Sequence, residues 1–332
     1  MIELHIHLDG SLEPDEIITL ADLAGIKLPT RDIAALGGML TVPQDCKSLA
    51  EYLGCFDLPL SVMQTAETVK QAAKMLALRL SKQGIIYAEI RFAPQLHTKN
   101  GASQMQIAAS AADGLFEAQK ISGMPSRLIL CCMRGADASV NLETVRVAKE
   151  LLHNGVCAVD LAGNEAAFAT SQYAEIFKTA SDLGVPFTVH AGEADGPQSV
   201  RQAIEFGAGR IGHGIRAYLD RQLLETIKKD GVVLENCYTS NLQTRAVDRS
   251  HDYPFAFYIK SGISATVCTD NSTVSGTTLK QEYLKLARDF DISVKALQIA
   301  AVNAAKGAFV DSDTKQKLIQ SVNDGFEKWL LC

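Results

Sequence analysis

Histidines are scarce in this sequence, and the first two stand one residue apart. Only seven occur in the whole chain, and His5 and His7 lie in the segment HIHL. Side chains alternate along a β-strand, so these two imidazoles would share one face. Buried imidazoles need partners, and a metal ion is the obvious one. Taken alone, the motif fits a pair of hydrogen-bonded core histidines equally well.

Two further motifs add metal-binding side chains. His190 opens the segment HAGE, and Asp270 follows the β-branched run ISATVCT. Imidazole nitrogens together with one carboxylate oxygen suit Zn²⁺ and leave a further position for water, although Fe²⁺ or Mn²⁺ would accept the same ligand types. We therefore predict a metal site formed by His5, His7, His190 and Asp270.

The sequence indicates one metal ion rather than two. Hydrolases that hold two metal ions within a barrel of eight parallel strands usually bridge them through a carboxylated lysine or an acid at the end of the fourth strand. The fourth apolar, strand-like run of this chain ends at residues 159–163, which read VDLAG and contain no lysine. Asp160 could in principle act as the bridge, but a single metal ion is the better prediction.

Glu193 is a candidate general acid. It lies three residues after His190, outside the predicted ligand set and on the side where a substrate would lie. A carboxyl group in a cavity with little water has a raised pKa, as a general acid at neutral pH requires. The alternative is a glutamate at a helix N-terminus that only interacts with the helix dipole.

His213, in the segment RIGHG, is a candidate general base. It could orient and deprotonate a water molecule, or it could act as a fifth metal ligand. We favour the base because four ligands are already assigned. The other histidines, His97, His153 and His251, fall in loops or at helix ends and are expected at the surface.

These motifs must be positioned by the strands that they follow. Eight short, mostly apolar runs alternate with segments of helical periodicity, at residues 2–8, 85–93, 127–133, 156–162, 185–190, 210–213, 231–237 and 263–268. Such runs are typical of parallel strands covered on both faces. They predict an α/β fold, a (β/α)₈ TIM barrel with its active site at the carboxyl ends of the strands. A doubly wound open sheet is the alternative, but it would normally carry GxGxxG where this chain reads HLDGSL.

The whole chain, 1–332, is predicted to form one barrel domain. The stretch after the first strand is longer than one βα unit, so 44–65 is a candidate lid insertion or, equally, an extra packing helix. Segments beyond residue 270 predict additional C-terminal helices. Four residues of the insertion share a helical spacing that would let them cover a ribose or join the core, namely Leu49, Tyr52, Leu53 and Phe56.

Composition narrows the class of protein. The 332 residues include 38 acidic and 32 basic side chains, a formal net charge of −6, and 47% are hydrophobic. This excludes disordered and collagen-like chains and gives no basic surface for nucleic acid or an anionic membrane. Eight cysteines without CxxC spacing favour buried free thiols. Without a secretory signal or an apolar span, we expect a cytoplasmic protein that acts on a small molecule, while its oligomeric state has no signature in the sequence.

Six blocks, in order along the chain, resemble the adenosine deaminase family of metal-dependent barrel hydrolases. They are HIHLDGSL, DLAGNE, HAGE, RIGHG, CYTSN and TDN, and they run from residue 5 to residue 271. The resemblance implies one zinc ion per chain on the four ligands predicted above. It also implies that Glu193 protonates purine N1 and that His213 orients the attacking water.

The resemblance further implies how a substrate would be bound. Asp9 would contact the ribose, Gly163 would offer its backbone N–H to the purine, and His7 would border the substrate as well as the metal. Asn271 stands where many members carry an aspartate. Its amide can donate a hydrogen bond to purine N7 without first being protonated.

The implied reaction is hydrolysis of adenosine and 2′-deoxyadenosine to inosine and 2′-deoxyinosine with release of ammonia, in purine salvage. Because of Asn271, adenine or a modified adenine nucleoside is an alternative substrate. Another amidohydrolase activity, on cyclic amides or esters, is disfavoured by the missing lysine. A purine- or metal-binding barrel without turnover is disfavoured by Glu193 and His213. Zinc deaminases with HxE and PCxxC motifs are excluded because the chain has no PCxxC.

Overall fold

The computed structural model describes residues 1–43, 46, 52 and 54–331, and within these residues it contains eight β-strands. Each predicted run forms one strand, with ends that shift by up to three residues. In chain order the strands are β1 (Ile2–His7), β2 (Tyr87–Phe92), β3 (Ser126–Met133), β4 (Val156–Ala162), β5 (Thr188–Ala191), β6 (Arg210–His213), β7 (Val233–Asn236) and β8 (Ala265–Val267).

The strands close into a barrel rather than forming an open sheet. Parallel pairing gives two four-stranded sheets, β1-β2-β3-β4 and β5-β6-β7-β8. A parallel bridge between Val159 and Phe187 joins the two sheets on one side. A second bridge, between Ile6 and Asp270, joins them on the other, where the His7 N–H donates to the Asp270 carbonyl at 2.7 Å. The predicted (β/α)₈ barrel is confirmed, and its last seam closes beside the metal motifs.

Helices cover the outside of the barrel. A typical one, Arg221–Asp230, begins after Asp220, whose carboxylate accepts two backbone N–H groups, and ends at Gly231 in a left-handed conformation. In chain order the α-helices are α1 (Pro14–Ala24), α2 (Ile33–Leu40), α3 (Asp57–Val62), α4 (Ala66–Lys82), α5 (Gln104–Ser122), α6 (Ala138–Glu150), α7 (Ala174–Asp182), α8 (Pro197–Glu205), α9 (Arg221–Asp230), α10 (Tyr238–Gln243), α11 (Phe255–Lys260), α12 (Leu279–Phe290), α13 (Val294–Gly307) and α14 (Ser312–Leu331). Short 3₁₀ helices occur at Gly54–Phe56, Pro94–His97, Thr170–Tyr173, Ala217–Leu219 and Ser250–Asp252.

The additional C-terminal helices are present and complete the wall. α13 packs on β8 and β1, across the second seam, and α14 packs on α13. The buried face of α14 carries Leu318, Val322 and Phe326 at helical spacing. Burial of each such side chain contributes about 1.5–3 kcal/mol.

The segment after β1 contains helices α1 to α3 before the barrel continues with α4. Leu49 and Leu53 lie outside the described residues. Tyr52 and Phe56 line a cavity at the barrel mouth. The Tyr52 hydroxyl lies 2.9 Å from Ser275 Oγ, which ties the insertion to the chain after β8. Its role as a lid, and the single-domain organisation, stay predictions.

Two expectations from composition can be compared with the structure. Buried free thiols were expected, and Cys131, Cys132, Cys157, Cys237 and Cys268 are of this kind. Among the helices that the structure describes, none has both the length and the apolar character to cross a bilayer.

Candidate active site

The carboxyl ends of the strands carry the predicted metal-binding and catalytic side chains. His5 and His7 lie on β1, and His190 lies on β5. His213 ends β6, and Asp270 follows β8. His213 and Asp270 have φ values of 61° and 63°, a left-handed conformation that is strained for residues other than glycine. The barrel holds both backbones in this conformation at the point where their side chains meet the others.

These five side chains converge on one small region. One ligand atom from each of His5, His190, His213 and Asp270 lies within 4.8 Å of the others. His7 lies against the same group, because its Nε2 is 3.3 Å from His190 Nε2 and 3.4 Å from Asp270 Oδ1. The structure therefore brings together the four predicted ligands and the predicted base.

The spacing of the predicted ligands suits a tetrahedral metal ion. His5 Nε2 lies 3.3 Å from Asp270 Oδ1, and the two distances from His7 Nε2 are similar. Bonds of about 2.0–2.1 Å in a tetrahedron place ligand atoms about 3.3 Å apart. His5 Nε2 is also buried, and none of the described residues gives it a hydrogen bond. A buried nitrogen without a partner is the kind of atom that a bound cation satisfies.

Buried carboxylates hold the outer nitrogens of two of these rings. Glu235 Oε2 lies 2.8 Å from His5 Nδ1, and Asp160 Oδ2 lies 2.8 Å from His190 Nδ1. Each carboxylate favours a proton on Nδ1 and leaves the lone pair on Nε2, which faces the cluster. Asp160 therefore orients a candidate ligand, a position that agrees with a single metal ion.

Beneath these carboxylates lies a buried layer of charge. Arg91 donates to Asp160 and to Glu235, in both cases at 2.9 Å, and Arg210 Nε donates to Glu235 at 2.6 Å. The ion pairs offset the desolvation cost of burying these charges. This layer is not among the predictions made from the sequence. The available signal was a pair of charged residues at alternate positions of an apolar strand, Glu89 and Arg91 in YAEIRF.

Local charges set the protonation states that metal binding requires. Burial alone would raise the pKa of Asp270, but the neighbouring imidazoles, His5 foremost, hold it well below its usual range. Burial lowers the pKa values of His7 and His190 by more than nearby carboxylates raise them. Neutral imidazoles and an ionised carboxylate are the forms that bind metal ions.

The predicted acid and base lie side by side next to the cluster. His213 Nε2 is 3.6 Å from Glu193 Oε2. The Asn241 amide donates to Glu193 Oε1 at 3.2 Å and lies 3.0 Å from His213 Nδ1. Because a carboxylate only accepts, Asn241 presents its N–H groups to both partners. His213 Nδ1 then accepts, so Nε2 of the neutral ring carries the proton.

Two ionisable groups at the cavity have raised pKa values. Burial raises the pKa of Asp9 to about 6. Burial alone would lower the pKa of His213, but the negative charges of Glu193 and Asp270 outweigh it and raise the value. The imidazole of His213 is therefore a stronger base than an isolated histidine.

A cavity of about 240 Å³ opens above the cluster and gathers the residues predicted to bind substrate. Asp9, Gly163 and Asn271 line it together with Glu193 and His213. Asp9 Oδ1 is buried without a hydrogen bond from the described part of the chain, so it is available to a bound molecule. Mostly apolar side chains also line it, among them Tyr52, Phe56, Leu60, Leu96 and Met133.

Gly10 belongs to the site but is not among the residues predicted from the sequence. A Cβ at this position would lie 1.9 Å from Asn271 Oδ1. Only glycine lets the Asn271 side chain pack so closely against β1. The available signal was the glycine directly after Asp9 in HLDG, but the contact with Asn271 joins residues far apart in sequence.

One histidine prediction is wrong. His97 was expected at the surface, but it is fully buried in the 3₁₀ helix Pro94–His97, where its Nδ1 donates to the Met63 carbonyl at 2.7 Å. Burial lowers its pKa to about 4. His153 and His251 are exposed, as expected.

A closed (β/α)₈ barrel with histidines and an aspartate clustered at its carboxyl end defines the class of metal-dependent barrel hydrolases. The model of the family described as adenosine deaminase matches residues 1–325. An adenosine deaminase from Haemophilus ducreyi is 44% identical over 331 residues, which cover 98% of this chain and 96% of that protein. The chain belongs to the adenosine deaminase family, whose members are hydrolytic deaminases.

Other relatives and solved structures agree with this assignment. An adenosine deaminase from Enterococcus faecalis is 37% identical over 98% of this chain and 96% of that protein. The structure of adenine deaminase from Arthrobacter aurescens matches with a TM-score of 0.89 and 25% identity over 98% of both chains. An Arabidopsis N6-mAMP deaminase, 24% identical over 98% of this chain and 97% of that one, matches with a TM-score of 0.84 and supports the fold alone.

Proposed function

We propose that this chain hydrolyses adenosine and 2′-deoxyadenosine at purine C6, giving inosine and 2′-deoxyinosine with release of ammonia, as purine salvage requires. The observation that carries the proposal is that Glu193, His213 and a metal-type cluster border one cavity. Neither Glu193 nor His213 is needed merely to hold a metal ion. Their presence favours catalysis over simple binding.

Four residues would hold a single Zn²⁺, namely His5, His7, His190 and Asp270. His7 is preferred to His213 because the latter accepts from Asn241 at Nδ1 and carries its proton on Nε2. Three nitrogens and one oxygen form a donor set that zinc favours. When bound, the zinc ion supplies Lewis-acid activation of a water molecule near neutral pH.

Glu193 and His213 have separate tasks. Glu193 Oε1 already accepts from Asn241 and Thr244, both at 3.2 Å, so Oε2 is the oxygen left to hold a proton toward purine N1. A proton on N1 makes C6 electrophilic. His213 orients the attacking water through its Nε2–H. The water oxygen bonds to C6 as the C6–N bond breaks. One proton of the water replaces the proton that Glu193 gave to N1, and the other goes to the amino nitrogen, which leaves as ammonia.

The cavity suits a nucleoside better than a nucleotide. Its described lining residues include no lysine or arginine, whereas Asp9, Asp57, Glu193 and Asp270 all contribute carboxyl groups. A 5′-phosphate would face these carboxyl groups with no lysine or arginine among the described lining residues to pair with it. Asp9 offers an oxygen to a ribose hydroxyl, and Asn271 offers an amide to purine N7. The Gly163 backbone N–H provides a further donor to the purine.

The proposal is tested by a panel of adenosine, 2′-deoxyadenosine, adenine and AMP, with metal analysis on the same protein sample. We expect about one zinc per chain and turnover of the two nucleosides, seen as a change in ultraviolet absorbance. Adenine and AMP should be turned over at least about 100-fold less efficiently. Adenine lacks the ribose that Asp9 would contact, and AMP carries a phosphate group for which the residues described at the cavity offer no lysine or arginine. A fully metal-loaded protein without activity on either nucleoside would contradict the proposal.

A further inference from the structure

The loop that carries Glu193 directs its backbone toward a single buried carboxylate. Glu165 Oε1 accepts the Gly192 N–H at 2.7 Å. Glu165 Oε2 accepts the N–H groups of Glu193 at 2.9 Å, Ala194 at 2.7 Å and Asp195 at 3.0 Å. Successive N–H groups that converge in this way form a concave anion site. Here the anion is a side chain of the same protein.

Glu165 is itself firmly held. It follows β4, is 3% exposed, and accepts a further hydrogen bond from the Ser199 hydroxyl at 2.5 Å. Burial alone would raise the pKa of Glu165, but the hydrogen bonds from Ser199 and the loop backbone keep it below its usual value. An ionised carboxylate therefore faces the loop, and hydrogen bonds to a charged acceptor are stronger than neutral ones.

Arg134 links the surroundings of Glu165 to His190 of the metal cluster. Arg134 donates to the His190 carbonyl at 2.6 Å and to Thr170 Oγ1 at 3.0 Å. Thr170 Oγ1 in turn lies 2.6 Å from Ser199 Oγ, the partner of Glu165. The start and the end of the HAGE segment are thus fixed by one connected set of buried polar side chains.

The loop depends on this support. Gly192 has a φ of 72°, and a Cβ there would lie 2.5 Å from Val200, so the chain bends sharply between His190 and Glu193. Without Glu165, four backbone N–H groups, of which those of Gly192 and Glu193 are buried, would lose their shared acceptor. A displacement of about 1 Å in a catalytic group can cost about 100-fold in rate.

We propose that Glu165 is a positioning residue that fixes the carboxyl group of Glu193 by binding the backbone of the loop that carries it. The role of Glu193 as acid rests on the proposed function. Glu165 is not among the described residues that line the cavity. It therefore acts on the reaction through Glu193. It holds no proton for the substrate and contributes no metal ligand.

The test combines kinetics, metal analysis and amide hydrogen exchange on Glu165→Gln. The glutamine keeps the shape, but its NH₂ group cannot accept from the loop. We expect kcat on adenosine to fall about 10- to 100-fold, KM to change less than about threefold, and zinc content to stay the same. Amide exchange at residues 192–195 should become faster. Glu143→Gln, the same change at an exposed position of α6, should leave all four quantities unchanged.

A double-mutant cycle separates positioning from general destabilisation. In a Glu193→Gln background, Glu165→Gln should cause no further loss of the residual rate, because the group it positions is already gone. An equal loss in both backgrounds, or loss of zinc in proportion to activity, would overturn the assignment.

Amide exchange keeps this inference separate from the proposed function. If wild-type protein does not deaminate adenosine, the proposed function fails, while unchanged exchange at 192–195 in Glu165→Gln would overturn the positioning role by itself. Should that variant fail to fold, Ser199→Ala provides the same readout, since it removes a hydrogen bond to Glu165. It should speed exchange at Gly192, and unchanged exchange there would also overturn the proposal.

Discussion

The two ends of the active-site cavity are built differently. Its floor is the cluster of strand-end residues His5, His7, His190, His213 and Asp270, in which buried carboxylates hold the rings of His5 and His190. Its rim is the part contributed by the helical segments inserted after β1, where the side chains of Tyr52, Phe56 and Leu60 are mostly apolar and Asp57 is the one acidic residue described there. Fixed dipoles and charges are what stabilise a transition state, whereas apolar surface mainly adds binding energy. We therefore expect floor substitutions to change turnover or metal affinity and rim substitutions to change KM.

The largest effect should come from Glu193, which stands where the floor meets the substrate. Glu193→Gln should reduce kcat on adenosine by about 10³-fold, because the amide cannot transfer a proton to N1. Zinc content should remain about one per chain, since Glu193 is not a proposed ligand. Steady-state kinetics and metal analysis of one preparation check both values. Substantial residual activity would remove Glu193 from the acid role.

A smaller effect is expected for Glu235, the buried carboxylate behind the ring of His5. Glu235→Gln should weaken zinc binding by about 10- to 100-fold, because the carboxylate no longer orients the His5 ring or increases its basicity. Competition with a metal-buffering chelator measures the affinity directly. Glu225→Gln, an exposed change on α9, is the matched control. An unchanged zinc affinity would show that the buried charge layer supports the fold but not the metal.

Asn271 lines the cavity directly after the proposed ligand Asp270. Asn271→Ala should lower kcat/KM for adenosine by about 10-fold, the value of one hydrogen bond to the purine. Zinc content should not change, because Asn271 is adjacent to a proposed ligand without being one. Equal losses of activity and zinc would mean that the side chain only supports the chain at Asp270.

The smallest effect is expected at the rim. Phe56 is partly buried and lines the cavity. Phe56→Ala should raise KM for adenosine about three- to tenfold through lost apolar contact, with kcat within about twofold of wild type. A decrease in kcat larger than the increase in KM would show that the rim takes part in the chemical step, and the distinction between the two ends would fail.

The same contrast explains how much of the site could be predicted from sequence. His5 and His7 share a strand face, and His190 and His213 follow apolar runs, so local patterns predict both the barrel and these residues. The charge layer could not be predicted in this way, because Arg91 and Glu235 are 144 residues apart in sequence and meet only in the closed barrel.

Two further residues show the same limit. Glu165 stands in the block DLAGNE, but its hydrogen-bond partners belong to the loop after the next strand. His97 was expected at the surface because it lies in a segment between strand and helix, and the 3₁₀ turn that directs it inward has no clear sequence pattern. In both cases the deciding contact is tertiary.

The central claim is that four floor residues hold one metal ion, and that His7 rather than His213 completes the set. Anomalous diffraction at the zinc absorption edge, from crystals of the metal-loaded protein, measures this directly. We expect one peak, with bonds of about 2.0–2.2 Å to His5, His7, His190 and Asp270. A peak bonded to His213 in place of His7, or two peaks bridged by Asp160, would contradict the account.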